Sequence, residues 1–150
     1  KKHVEVDEFL NKKAAETISA FSVHACTDIT GFGFIGHLSE VTTASGVDVE
    51  IISEDIPYFE KTAELAAAGV VPGGSANNLL HFSKHVIWEK AISEISKLML
   101  CDAQTSGGLL VAVPQSEKNK VLADLHNAGI IAAKHVGNCM GKGEGKIYVV

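Results

Sequence analysis

Much of what marks a specialised chemistry is missing from these 150 residues. Cysteine is scarce: Cys26, Cys101 and Cys139 make an odd count with no CxxC pairing. That favours reduced thiols in a cytoplasmic protein over a disulfide framework, each thiol read as a buried small hydrophobe. No apolar run reaches the roughly 20 residues that span a bilayer, and no signal-peptide pattern opens the chain, so no membrane partner is expected. Basic clusters are absent as well. With 13 Lys and Arg against 18 Asp and Glu the formal net charge is −5, which argues against nucleic acid as a main partner. Seven histidines show no zinc-ligand spacing; His81 and His85 stand four apart, but outside an HExxH context they read as solvated surface. There is no Ser/His/Asp signature, no internal repeat, no low-complexity tract and no second domain.

What remains is an ordinary globular composition, 46% apolar and 21% charged, long enough for one domain with its own core. The chain starts at Lys1-Lys2 without Met, directly ahead of a helical pattern, and the expectation is a piece of something longer.

One stretch organises the rest: Cys26-Thr27-Asp28-Ile29-Thr30-Gly31-Phe32-Gly33-Phe34-Ile35-Gly36-His37. Glycine lets backbone amides approach a ligand with no Cβ in the way. Successive amides at the start of a helix carry partial positive charge suited to phosphate oxygens. Asp28 supplies the hard oxygen that a magnesium ion accompanying phosphate favours. Thr30 can cap the helix or touch the same ligand. It is not a Walker loop, because no Lys follows the glycines. The same residues fit a plain helix start with Thr30 as cap and glycines for close packing, and spacing leaves both readings open.

Along the chain, Asp7 caps a first helix with Glu8 in its first turn, and Leu10, Ala14, Ile18 and Phe21 form its core stripe. A strand of about Val23 to Ile29 delivers the glycine-rich turn. The next helix carries Ile35, Leu38 and Val41 inward and stops at Gly46; Gly36 inside it costs on the order of 1 kcal/mol, offset by close packing. Val47, Val49 and Ile51 alternate with acids as a half-buried strand. A helix of about Phe59 to Ala68 stops at Gly69. Val70 to Ser75, extended by Asn77-Asn78, reads as turn chemistry or a second ligand contact. Trp88 to Met99 reads as a helix. Asp102-Ala103-Gln104-Thr105-Ser106-Gly107-Gly108 leads into Leu109 to Val113, a strand buried on both faces. Ser116 caps a helix with Val121, Leu122 and Leu125 inward that stops at Gly129, and strands of about Ile130 to Val136 and Lys146 to Val150 flank a Gly/Lys turn. Strands separated by helices predict an α/β (α+β) layered sandwich on a mixed sheet flanked by helices. Its two glycine-rich segments lie at strand ends, where ligands bind in such sheets.

Thr27 through Gly33 with Gly36-His37, Val71-Pro72-Gly73-Gly74 with Asn78, and Asp102 through Leu110 resemble the motifs of the selenophosphate synthetase (selenide, water dikinase) family. The spacing of the three is similar to that family's C-terminal half along essentially the whole chain. The third segment is shared more loosely across the aminoimidazole ribonucleotide synthetase-like ATP enzymes. The resemblance implies a C-terminal domain of that superfamily fold, cut from a cytoplasmic homodimer of two-domain chains. The intact enzyme would use ATP and water to turn selenide into selenophosphate, releasing AMP and phosphate. ATP and several Mg²⁺ ions would be held mainly by an N-terminal domain. Asp28 would reach a magnesium on the nucleotide, and Thr30, Gly31 and Gly33 would line the phosphate side.

The family's reactive Cys or selenocysteine and its paired Lys lie near its N-terminus. No catalytic residue is therefore assigned here, none of the three cysteines inherits that role, and the chain alone is expected to be inactive. Two positions depart from the family pattern. Ala103 stands where Pro is usual, which loosens the turn, and Asn77 stands where Arg is frequent. The alternatives are another ATP-dependent enzyme of the superfamily or a non-catalytic module that binds or dimerises.

Overall fold

The structure, a computed structural model, describes residues 11–150. The Asp7 cap, with Glu8 and Leu10, lies outside the described residues. Along the chain run α1 (11–18), β1 (Ala25–Asp28), α2 (Gly33–Ser45), β2 (Val47–Ile51), α3 (Thr62–Ala67), α4 (Gly73–Phe82), β3 (Val86–Trp88), α5 (Glu94–Leu100), β4 (Leu109–Ala112), α6 (Lys118–Asn127), β5 (Gly137–Lys142) and β6 (Ile147–Val149). They form two compact units: the residues up to Ile29 with Ser106–His135, and Thr30–Thr105 with Val136–Val150. No described helix is long and apolar enough to cross a membrane.

In the first unit β1 and β4 pair antiparallel, Ala25 opposite Ala112 and Asp28 opposite Leu109. The ladder continues past the strands: Ile29 N–H donates to Gly108 O at 3.0 Å and Gly107 N–H to Ile29 O at 2.8 Å. Among its described residues Ile18 of α1 and Val121 of α6 are the buried apolar ones. Two sequence expectations change here. Leu109 to Ala112 are half-buried, not buried on both faces, because among the described residues β4 pairs with β1 alone. Ile130 to Val136 is not a strand: a turn bond from Ala133 N–H to Ile130 O (3.1 Å) curls the run, leaving Ile131 exposed. The residue preceding α6 is Glu117, not Ser116; its carboxylate accepts from the Ser22 amide and hydroxyl (2.9 and 3.1 Å).

The second unit is built on a four-stranded mixed sheet in the order β3-β6-β2-β5. β6 is parallel to both neighbours, and β5 is antiparallel to β2. Val49, Ile51, Val86, Ile147 and Val149 bury its inner face, with Phe34, Ile35 and Leu38 of α2 and Leu100 of α5 also in the core. The i, i+3 spacing of Ile35 and Leu38 makes α2 amphipathic, and Gly46 at φ 61° stops it as the sequence predicts. Close packing does explain Gly36, where a Cβ would meet Phe32 Cβ at 2.5 Å and the Phe82 ring at 2.7 Å.

Three segments of this unit correct the sequence reading. Gly73 through Asn78 is helical: Pro72 precedes α4, where no amide is needed, and the glycines begin its first turn. Trp88 ends β3, and α5 starts only after Ser93, whose hydroxyl accepts from Ser96 N–H at 3.0 Å. Gly137 to Lys142, expected as a turn, is β5. It holds no β-branched residue, and its pairing to β2 supplies what propensity lacks. The expected α/β chain with a mixed sheet flanked by helices is what the structure contains.

Candidate functional site

Asp28 is the last residue of β1, where the alternation leaves Thr27 half-buried and turns Asp28 to solvent. No described cation pairs with its carboxylate. Cys26, two residues back on the same strand, is exposed; partial burial and then the Asp28 charge push its thiol pKa up. Cys139 on β5 is exposed as well, so only Cys101 matches the expectation of buried thiols.

The second unit opens with Thr30-Gly31-Phe32-Gly33, and this turn draws together parts of all three sequence motifs. Thr30 O accepts from Gly33 N–H at 3.0 Å and from Gln104 N–H at 3.1 Å. The buried Asn78 donates Nδ2 to Gly31 O at 2.9 Å and to Cys101 O at 3.1 Å. Two carbonyls can only accept, so the amide of Asn78 is fixed in orientation. One turn earlier on α4, Ser75 Oγ donates to Asp102 Oδ1 at 2.8 Å and accepts from Ala103 N–H at 3.1 Å. Proline has no amide hydrogen, so the alanine at 103 adds a tie to α4 rather than only loosening the turn. Asn77, the other departure, is exposed.

The two outer glycines of the turn differ. Gly33 is buried at φ 70°, and a Cβ there would stand 2.6 Å from Cys101 C and 2.7 Å from Asp102 O. Its amide is committed to Thr30, so close packing dictates it. Gly31 is exposed, and nothing lies within 4 Å of where its Cβ would be. The amides of Gly31 and Phe32 donate to no described carbonyl. Thr30 does not cap α2; the residue preceding the helix is Phe32, with no side-chain cap. The Thr30 hydroxyl instead lies 3.0 Å from His37 Nε2, while His37 Nδ1 lies 3.2 Å from Glu40 Oε2. The Phe32 ring sits beside the imidazole, centroids 5.5 Å apart. Sequence reasoning missed Ser75, Asn78 as an anchor, and Glu40. Only Asn78 had a signal, its place in a recognised motif.

These residues fit magnesium and phosphate as contributors. An exposed carboxylate with no described cation beside it is a hard-oxygen ligand, and amides with no described acceptor beside an open glycine suit an anion. No group of three or more His, Cys, Asp or Glu among the described residues could hold a metal alone. A separate groove of about 230 Å³ in the second unit, lined by Leu65, Val70, Pro72, Met99 and Asp102 among others, is mostly apolar. It offers a carboxylate rather than donors, which does not suit a phosphate.

Cys101 closes α5 with no exposed surface, and burial pushes its thiol up to about 12 from an ordinary 9.0. The folded chain therefore keeps this proton while the unfolded chain releases it. The resulting stability is complete below pH ~9 and is lost as pH rises towards ~12, by up to about 4 kcal/mol. Urea midpoints measured from pH 8 to 10.5 should fall, and Cys101→Ala should flatten the fall; identical slopes would contradict this account.

A family model described as AIR synthase related protein, C-terminal domain, matches residues 2–150. The chain is similar to selenide, water dikinase 2 of Peptoclostridium acidaminophilum, 43% identical over 147 residues, which is 98% of this chain and 42% of that protein. The selenide, water dikinase of Carboxydothermus hydrogenoformans is 44% identical over 149 residues, 99% of this chain and 43% of that protein. That of Pelobacter propionicus is 45% identical over 128 residues, 85% and 37% of the two chains. The chain thus spans about two-fifths of the length of these curated relatives.

Proposed function

This chain belongs to the AIR synthase related protein C-terminal domain family, and from that premise we propose that it is the C-terminal domain of a selenide, water dikinase. The intact enzyme makes selenophosphate from selenide, ATP and water, releasing AMP and phosphate. It is a cytoplasmic homodimer whose nucleophile and lysine lie in an N-terminal domain. The observation that carries this reading is the identity to named selenide, water dikinases over nearly the whole chain. The network tying Thr30–Gly33 to Asn78 and Cys101–Gln104 supports it, because it gives those recurring motifs one shared physical task.

In this proposal Asp28 lends one oxygen to a magnesium ion that the nucleotide brings with it. The amides of Gly31 and Phe32 take phosphate oxygens, and the buried Asn78 keeps the Gly31 peptide in place. Gly33 lets the turn settle on the end of α5. Bound magnesium would neutralise charge developing on phosphate oxygens. Everything else assigned to this chain is binding and orientation.

The intact enzyme, given ATP and selenide, should yield selenophosphate by ³¹P spectroscopy together with AMP. Release of ADP without selenophosphate would instead favour another chemistry of the superfamily. The chain by itself should show no measurable heat with Mg-ATP in calorimetry, since Mg²⁺ keeps its waters and gains little from one carboxylate. Tight stoichiometric binding would overturn that division of labour.

A further inference from the structure

The groove of about 230 Å³ beside α3 lies wholly within the second unit, and the function proposed above makes no use of it. Its lining is mostly apolar, with Leu65 of α3 and Val70 just beyond it joined by Leu98 and Met99 of α5. No residue of α3 is buried, and Leu65 and Val70 are 50% and 64% exposed. Two polar side chains line the groove, Thr62 and Asp102. The Thr62 hydroxyl gives its hydrogen to Phe59 O at 2.8 Å, so towards a ligand it can only accept. The carboxylate of Asp102 likewise has no hydrogen to offer.

Asp102 is anchored by a buried group. Ser75, with no exposed surface, accepts from Ala103 N–H at 3.1 Å and donates to Asp102 Oδ1 at 2.8 Å. No described donor meets Oδ2, and no described Lys, Arg or His pairs with this half-buried carboxylate. A charge set among apolar walls costs free energy unless a counter-charge meets it. Walls of hydrocarbon with side chains that only accept suit a ligand that ends in a donor cation and is otherwise apolar. A metal ion would gain one carboxylate and little else. The volume is below the roughly 300–1,000 Å³ of drug-sized sites, so the ligand is small. We infer that the groove binds a small primary amine in its ammonium form, its hydrocarbon body against Leu65, Val70, Leu98 and Met99 and its ammonium on Asp102 Oδ2. This site is independent of the nucleotide reading and does not rest on it.

Phenethylamine and its neutral counterpart phenethyl alcohol separate charge from apolar fit. Each is titrated into the full chain and followed by ¹H–¹⁵N spectra. The amine should bind saturably, moving the amides of Leu65, Val70, Met99 and Asp102, and at least about tenfold more tightly than the alcohol. Added salt should weaken the amine alone. Asp102→Asn keeps an oxygen that can accept from Ser75, so the fold should hold. It should bring the amine down to the alcohol's affinity and leave the alcohol unchanged. Val70→Trp, at an exposed position, should fill the groove and remove both ligands, which keeps the test decisive even where Asp102→Asn does not fold. Equal affinity of the wild type for amine and alcohol overturns the inference. So does either variant binding the amine as tightly as wild type. Amide shifts that never saturate, or that fall on residues away from the groove, overturn it as well.

Discussion

Gly33→Ala should destabilise the second unit by about 3–5 kcal/mol, enough to leave much of the chain unfolded or aggregated at 37 °C. Two causes add. At φ 70° an L side chain is strained wherever it stands, by roughly 1–2 kcal/mol. The new methyl would also lie 2.6 Å from Cys101 C and 2.7 Å from Asp102 O, and backbone cannot swing aside as a side-chain tip can. Moving the turn away from the Cys101–Gln104 segment would break the bonds that Asn78 and Gln104 make across it. Gly31→Ala is the contrast. With nothing within 4 Å of the added methyl, it should fold with a melting temperature close to wild type. In the intact enzyme it should weaken ATP, because the methyl occupies the space through which a phosphate approaches the free amides. Thermal unfolding of both variants checks the contrast, and equal destabilisation would contradict it.

The sequence carried the parts of the fold in which local preference and tertiary demand agree. Ile35, Leu38 and Gly46 announce α2 and its end, and Val47, Val49 and Ile51 alternate as β2 does. It misled where the two disagree. Pro72-Gly73-Gly74 has the chemistry of a turn, yet the first residues of a helix need few amides, and Ala103 packs close at Gly74, with a Cβ there 3.3 Å from the Ala103 Cβ. Gly137 to Lys142 has no strand propensity and is a strand because β2 offers it a ladder. Ile130-Ile131 has that propensity but forms a turn. In the candidate site, Asp28 and the glycines stand out in the sequence because the chemistry they suggest is local. The contact between Thr30 and His37 does not, since it joins a turn residue to one seven positions on and needs the helix axis to be known. Gly33 was legible only as a glycine; the Cys101 backbone that demands it lies 68 residues away in sequence (101 minus 33).

The largest effect on chemistry is expected from Asp28→Asn in the intact enzyme. The substitution keeps size and exposure and removes the charge, so the fold should be untouched: Asp28 has no ion pair among the described residues to lose. A neutral amide is a poor ligand for a hard dication. Even groups that only support a metal ligand typically cost 10–100-fold in affinity or activity, so loss of the ligand itself should lower turnover by about 10²-fold or more, close to 2.7 kcal/mol of barrier. Higher Mg²⁺ should restore part of it by mass action, as weakened binding allows and a damaged fold would not.

The most direct measurement is therefore the Mg²⁺ dependence of selenophosphate formation by intact wild type and Asp28→Asn, beside their melting temperatures. A strong loss at ordinary Mg²⁺, partly recovered at high Mg²⁺ with unchanged melting, is the predicted result. Superimposable Mg²⁺ curves and equal rates would show that the carboxylate at the end of β1 has no hand in the reaction.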